Sequence, residues 1–310
     1  MQTREHLSPL RAKKDFAEWA SLFSGKIFVK IAAYVDESGR YDKTGQLTGA
    51  GQIVVSGWVD WVENWTTFCG QWQSILNKND APYFHFAEWA YASYILRSGK
   101  EPSSSFSKNP YRKWPLEKLD AFLYELAAVA GGGQKIFVGG FISTRDFSEA
   151  KKHPAFSRFA PASDPYQACL NQFFLSFSNE VQQQWQYWKE PVSFFFDKND
   201  DAEWNHAILD AFGAAQKKDA RIAELSFVNG KIPPHLPLQA ADMICGRNRQ
   251  LAANFTDPKI LMNPSKLDDL LIKPSYLRAT LAWKMSVRAE HFSMLSLRHG
   301  NYPWRNKNQP

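Results

Sequence analysis

Apolar residues along the chain fall into two kinds of run. Short unbroken stretches, bounded by turn residues or acids, occupy about 26–36, about 46–59, and the segments IFVGGFIS (136–143), VSFFFD (192–197) and RIAELSFVN (221–229). Runs this short, rich in β-branched and aromatic side chains, predict strands. The turn-rich ESGRYDKTG between the first two predicts a hairpin. Longer stretches instead repeat apolar positions every three or four residues. Trp61, Trp65, Phe68, Trp72 and Ile75 make one amphipathic helix. PLEKLDAFLYELAAVA opens on a proline and stops before a glycine run at 131–133, so it is a second. Residues 166–188, 201–218 and PLQAADMICGRNRQLAANF complete the set, and 82–96 runs from an extended piece into a helix. Segments 97–114 and 145–158 are expected as a polar and a basic loop.

Helices between most of the later strands predict an α/β architecture: a mixed sheet covered by helices. Residues 26–255 form the main domain, preceded by a helical arm at 1–25 and followed by a helical extension with a basic tail at 256–310. A chain of 310 residues with 44% hydrophobic and 15% aromatic residues fills a core of that size.

Two of the strands end in an acid. IAAYVDE reaches Asp36 and Glu37, and VSFFFD reaches Asp197. If these strands lie side by side their carboxylates converge, which costs free energy unless a cation sits between them; hard oxygen ligands suit Mg²⁺ or Mn²⁺. Asp242 stands conspicuously among apolar residues of a helix, near one face with Gln239 and Gly246. Glu88, three residues after His85, and Glu37 compete as a fourth ligand. Alternation along a strand sets Glu37 and Asp36 on opposite faces unless the strand has already ended. Taken singly, each acid also has an ordinary use: a turn at Asp36, a helix cap at Asp197, an ion pair with Arg247 at Asp242.

Composition narrows the function. Lys and Arg number 37 against 31 Asp and Glu, a mild basic excess compatible with an anionic partner. Arg145, Lys151, Lys152, Arg247 and Arg249 are candidates to meet phosphates, with Arg298 and Arg305 in the tail. Three scattered cysteines argue against a disulfide framework or a structural zinc site, and fit a reducing cytoplasm. No stretch approaches the roughly 18 apolar residues of a membrane span, and residues 1–25 lack the apolar core of a signal peptide. The glycine clusters at 49–51 and 131–133 make no dinucleotide-binding turn.

YVDESG (34–39), FHFAE (84–88), FFFD (194–197) and PLQAADMICG (237–246) together resemble, in that order, the motifs of the bacterial family catalogued as domain of unknown function 3800. The resemblance covers roughly 27–250. It implies a ribonuclease H-like fold and an acidic metal site of Asp36, Asp197 and Asp242 with Glu88 or Glu37, with His85 and Gln239 beside it. The expected activity is a nuclease using two Mg²⁺ or Mn²⁺ ions on RNA or DNA. Two other readings stand beside it: a phosphohydrolase of small phosphoesters, and a non-catalytic module binding nucleic acid or protein. A homodimer or a partner protein is compatible with the aromatic-rich 61–96 region.

Overall fold

The structure is a computed structural model, and it describes residues 31–39, 51–133, 135–152, 165–184, 190–198 and 202–253. The arm at 1–25 and the extension at 256–310, with Arg298 and Arg305, lie outside the described residues, as do positions 153–158 of the expected basic loop. In chain order the elements are β1 (Ile31–Ser38), β2 (Gln52–Trp61), α1 (Val62–Lys78), α2 (Phe86–Ser98), a 3₁₀ turn (Ser104–Lys108), α3 (Leu116–Gly131), β3 (Ile136–Ser143), α4 (Thr144–Lys151), α5 (Pro165–Gln184), β4 (Val192–Asp197), α6 (Ala202–Gln216), β5 (Ile222–Val228) and α7 (Pro237–Ala253).

The five strands form one mixed sheet in the order β3-β2-β1-β4-β5. The β1–β2 and β2–β3 pairs are antiparallel, whereas β1–β4 and β4–β5 are parallel. Both faces of this sheet are covered, which is why β1 and β4 read as continuous apolar runs rather than as alternating ones. Ala32, Tyr34, Trp58 and Phe195 pack on one face against α1, α2, α3 and α7. Ile31, Ala33, Val35, Phe194 and Phe196 pack on the other against α5 and α6. The aromatic stacking of Tyr34 on Phe195, with ring centroids 5.0 Å apart, locks β1 to β4 on the first face.

Helix α1 forms because Trp65, Phe68, Cys69, Trp72 and Leu76 recur at helical spacing and are buried. Its indole groups are also anchors: Trp65 Nε1 donates to the Ala32 carbonyl of β1 at 3.0 Å. Trp61, expected on this helix, instead closes β2, and Leu76 replaces Ile75 as the fully buried position. Two expected loops are corrected. Residues 145–151 of the expected 145–158 loop are helical, as part of α4, because the β3 chain turns at Thr144, whose N–H and hydroxyl both donate to the Gly51 carbonyl. The 97–114 segment carries a 3₁₀ turn and the fully buried Tyr111, so it is a packed connection rather than a polar excursion. The three cysteines are buried free thiols.

Candidate functional site at the carboxyl ends of the parallel strands

The register between β1 and β4 runs Ala33 with Phe194, Tyr34 with Phe195 and Val35 with Phe196. Continued by one residue, it brings Asp36 opposite Asp197. Adjacent strands lie about 4.8 Å apart, so the two acids emerge side by side at the carboxyl ends of neighbouring parallel strands. Alternation puts both on the face of Tyr34 and Phe195, the face that α7 covers. Strand β1 continues to Ser38, so Glu37 falls with Val35 on the opposite face, where it is buried. The two adjacent acids are therefore separated by the sheet itself, which takes Glu37 away from the face shared by the other carboxylates.

Helix α7 delivers the third acid. Its small and apolar residues Ala240, Ala241, Met243, Ile244 and Cys245 are fully buried, and the Cys245 thiol donates to the carbonyls of Asp36 and Val54, each at 3.3 Å. That contact sets the helix across β1 and β2 and brings Asp242 to their acid end. Burial first, then the neighbouring Glu37 and Asp242 carboxylates and, more weakly, Asp197, push the Asp36 carboxyl well above the usual carboxylate range. The Asp242 carboxyl is raised as well, chiefly by burial, with Asp197 and Glu88 adding to it; His85 and the Phe86 N–H oppose the rise. Asp197 is exposed, and its Oδ1 accepts from the Lys198 N–H at 3.1 Å and the Gly230 N–H at 3.2 Å.

Glu88 lies in the first turn of α2, and the start of that helix is tied directly to Asp242: the Phe86 N–H donates to Asp242 Oδ2 at 2.6 Å. The carboxylate thus satisfies a helix N-terminal donor and lies where the helix dipole favours negative charge. Glu88 Oε1 accepts from the Tyr83 hydroxyl at 3.2 Å. Glu88 Oε2 is buried without a hydrogen bond, with His85 Nδ1 3.7 Å away. Gly246 makes this approach of α2 possible, since a Cβ there would lie 2.1 Å from Cδ1 of Phe86. The room that glycine leaves beside Asp242 is filled by an aromatic ring.

Gln239 is a clamp for the whole arrangement. Its Oε1 accepts from Trp72 Nε1 at 3.0 Å and from the Phe84 N–H at 2.7 Å, and its Nε2 donates to the Gly230 carbonyl at 2.9 Å. One buried amide therefore joins α1, the segment leading to Glu88, and the loop whose N–H holds Asp197. Gly230 itself is confined: a Cβ would sit 2.8 Å from Cβ of Leu238 and 3.7 Å from Asp197 Oδ1.

Comparison of the chain with protein-family models gives no match, and no curated protein matches it. Its chemistry rests on the residues themselves. Asp36, Asp197, Asp242 and Glu88 offer only hard carboxylate oxygens, the donor set that suits Mg²⁺ or Mn²⁺. The raised Asp36 and Asp242 carboxyls, and the buried Glu88 oxygen without a hydrogen bond, fit a cation in chemistry and in charge. Among the described residues, no three His, Cys, Asp or Glu side chains already meet at one point as ligands.

The basic candidates are spread around this end of the sheet. Gln52 pairs with Ser143 and Val54 with Ser38, so β3 ends at the same edge as β1 and α4 starts there; Lys151 closes α4 and Lys152 follows it. Arg145 lies within α4. Arg249 is seven residues beyond Asp242 and shares its face of α7, while Arg247 Nη1 donates to Gln250 Oε1. Sequence reasoning missed the Tyr83 hydroxyl, which meets Glu88 five residues on, and two contacts between distant segments: the Phe86 N–H on Asp242 and Lys231 on the Tyr83 ring. Among the described residues, no helix is long and apolar enough to cross a membrane.

Proposed function

We propose that the chain is a divalent-metal-dependent nuclease built on a ribonuclease H-like α/β scaffold, with Asp36, Asp197, Asp242 and Glu88 as its metal-holding acids. The observation that carries this reading is that Asp36 and Asp197 each follow the last paired residues of parallel β1 and β4, with Asp242 near enough to raise the Asp36 carboxyl. In open α/β sheets, that edge is where ligands bind. The motif resemblance to the domain of unknown function 3800 points the same way, and a five-stranded mixed sheet flanked by helices is compatible with it.

When bound, Mg²⁺ or Mn²⁺ supplies positive charge that activates water and offsets the charge developing on a phosphate. The protein's own groups prepare for that charge. Burial first, then neighbouring carboxylates, make it costly for Asp36 and Asp242 to ionise together without a cation. The Phe86 N–H holds one oxygen of Asp242, and the Lys198 and Gly230 N–H groups hold one oxygen of Asp197, so the carboxylates are oriented before any ligand arrives. Lys151 and Arg249 lie on elements that start at or cross the same edge, with Lys152 directly after the first of them, which supports a polymeric anion as substrate.

The test is cleavage of labelled single- and double-stranded RNA and DNA and of a hybrid duplex, with Mn²⁺, Mg²⁺ or chelator. Cutting is expected only with metal, and is expected to fall by at least about 100-fold in Asp197→Asn. Cutting that persists in chelator, or survives in Asp197→Asn, overturns the reading.

A further inference from the structure

Four acids at one sheet edge repel a phosphate chain before any ion bridges them, so a polymer's approach requires fixed positive charge at the rim. The turn after β5 supplies a candidate. The Gly230 N–H is bonded to Asp197 Oδ1 at 3.2 Å, and the next residue, Lys231, is exposed. Its Nζ lies 4.5 Å from the centre of the Tyr83 ring, within the range of a cation–π contact. The Tyr83 hydroxyl in turn donates to Glu88 Oε1 at 3.2 Å. The Lys231 backbone is thus anchored beside one acid, and its ammonium rests on a ring hydrogen-bonded to another.

Resting on the nuclease reading above, we propose that Lys231, carried on the face of Tyr83, binds the backbone phosphate adjoining the one that is cut. A side chain held on a ring loses little further freedom on meeting a phosphate, and an ammonium acts there as a point charge without base preference. Lys231 thereby sets substrate affinity rather than the chemical step. Its charge also favours nucleic-acid chains over small phosphomonoesters, since it engages a phosphate that only a polymer has.

A second lysine provides the control. Lys100 is also held on a tyrosine, its Nζ 5.3 Å from the Tyr94 ring centre and donating to the Tyr94 hydroxyl at 2.6 Å, but it lies beyond the far end of α2, about 18 Å along that helix from the acid end. The experiment measures kcat and KM over a range of KCl, with Mn²⁺ and a fluorescein-labelled oligonucleotide, for the wild type, Lys231→Gln, Lys231→Arg and Lys100→Gln. In Lys231→Gln, KM is expected to rise on the order of tenfold at low salt with kcat within about twofold. The slope of log KM against log[KCl] is expected to drop by about 0.7–0.9, the share of one phosphate contact. Lys231→Arg retains wild-type KM and slope, and Lys100→Gln changes neither. An unchanged KM and slope in Lys231→Gln, or a loss confined to kcat, overturns the assignment while leaving the nuclease reading standing. A wild type that cuts no oligonucleotide overturns both.

Discussion

Asp36 is held in a position that costs the folded state stability. Burial and the nearby Glu37, Asp242 and Asp197 charges raise its carboxyl pKa, so the folded state keeps a proton that the unfolded chain releases. Stability of the chelated protein should therefore fall as pH rises from the ordinary carboxylate value through the raised folded value, and Asp242 contributes in the same sense. Asp36→Asn removes that penalty. In chelator at neutral pH it should stabilise the protein by on the order of 1–2 kcal/mol and flatten the pH dependence, as read by thermal melts from acid to neutral pH, while activity is lost. A melt that declines with pH as steeply as the wild type's would show that the crowding lies elsewhere. Asp36 and Asp197 were legible as candidates because strand-terminal carboxylates stand out against apolar runs. The fate of Glu37 followed from alternation once β1 proved to continue through Ser38.

The α7 helix is where packing and site geometry are joined. Gln239→Leu deprives Trp72 Nε1, the Phe84 N–H and the Gly230 carbonyl of a partner, and should cost about 3 kcal/mol in urea denaturation, with weaker Mn²⁺ binding because Gly230 also holds Asp197. Gly246→Ala drives a methyl into the Phe86 ring and should cost about 1–3 kcal/mol while displacing the N–H that bonds Asp242. Its activity should fall more than its stability explains, measured well below its melting temperature; an active, folded Gly246→Ala would show that the Phe86 contact is dispensable. The helix and its unusual acid were readable from a single segment. Its partners were not, because Trp72, Phe84 and Phe86 lie more than a hundred residues earlier in the chain, and side-chain periodicity carries no signal of which distant donor an amide will meet. The 97–114 segment was misread for a related reason: polar composition hid Tyr111, whose hydroxyl donates to the Tyr83 carbonyl and makes that stretch part of the core.

At the scale of the whole molecule, the sheet order brings acids from β1, β4, α2 and α7 to one edge and sets basic residues from α4, α7 and the turn after β5 around it. Apart from α4 and the 3₁₀ turn, element types were predictable from apolar spacing, and the α/β class from their order. The parallel pairing of β1 with β4 was the missing piece, since nothing within either strand specifies its neighbour. A divalent ion that binds these acids in the folded state alone must stabilise the fold: Mn²⁺ at about 100 times its Kd should add about 2.7 kcal/mol, seen as a rise in melting temperature that Asp36→Asn abolishes. The most direct measurement is a titration of Mn²⁺ into the wild type, Asp36→Asn, Asp197→Asn and Asp242→Asn, read by calorimetry and by the loss of the free-ion electron paramagnetic resonance signal. Saturable binding by the wild type, lost or weakened at least about tenfold in each variant, is the predicted result. A wild type that binds no Mn²⁺, or variants that bind it equally well, would contradict the assignment of these carboxylates as a metal site.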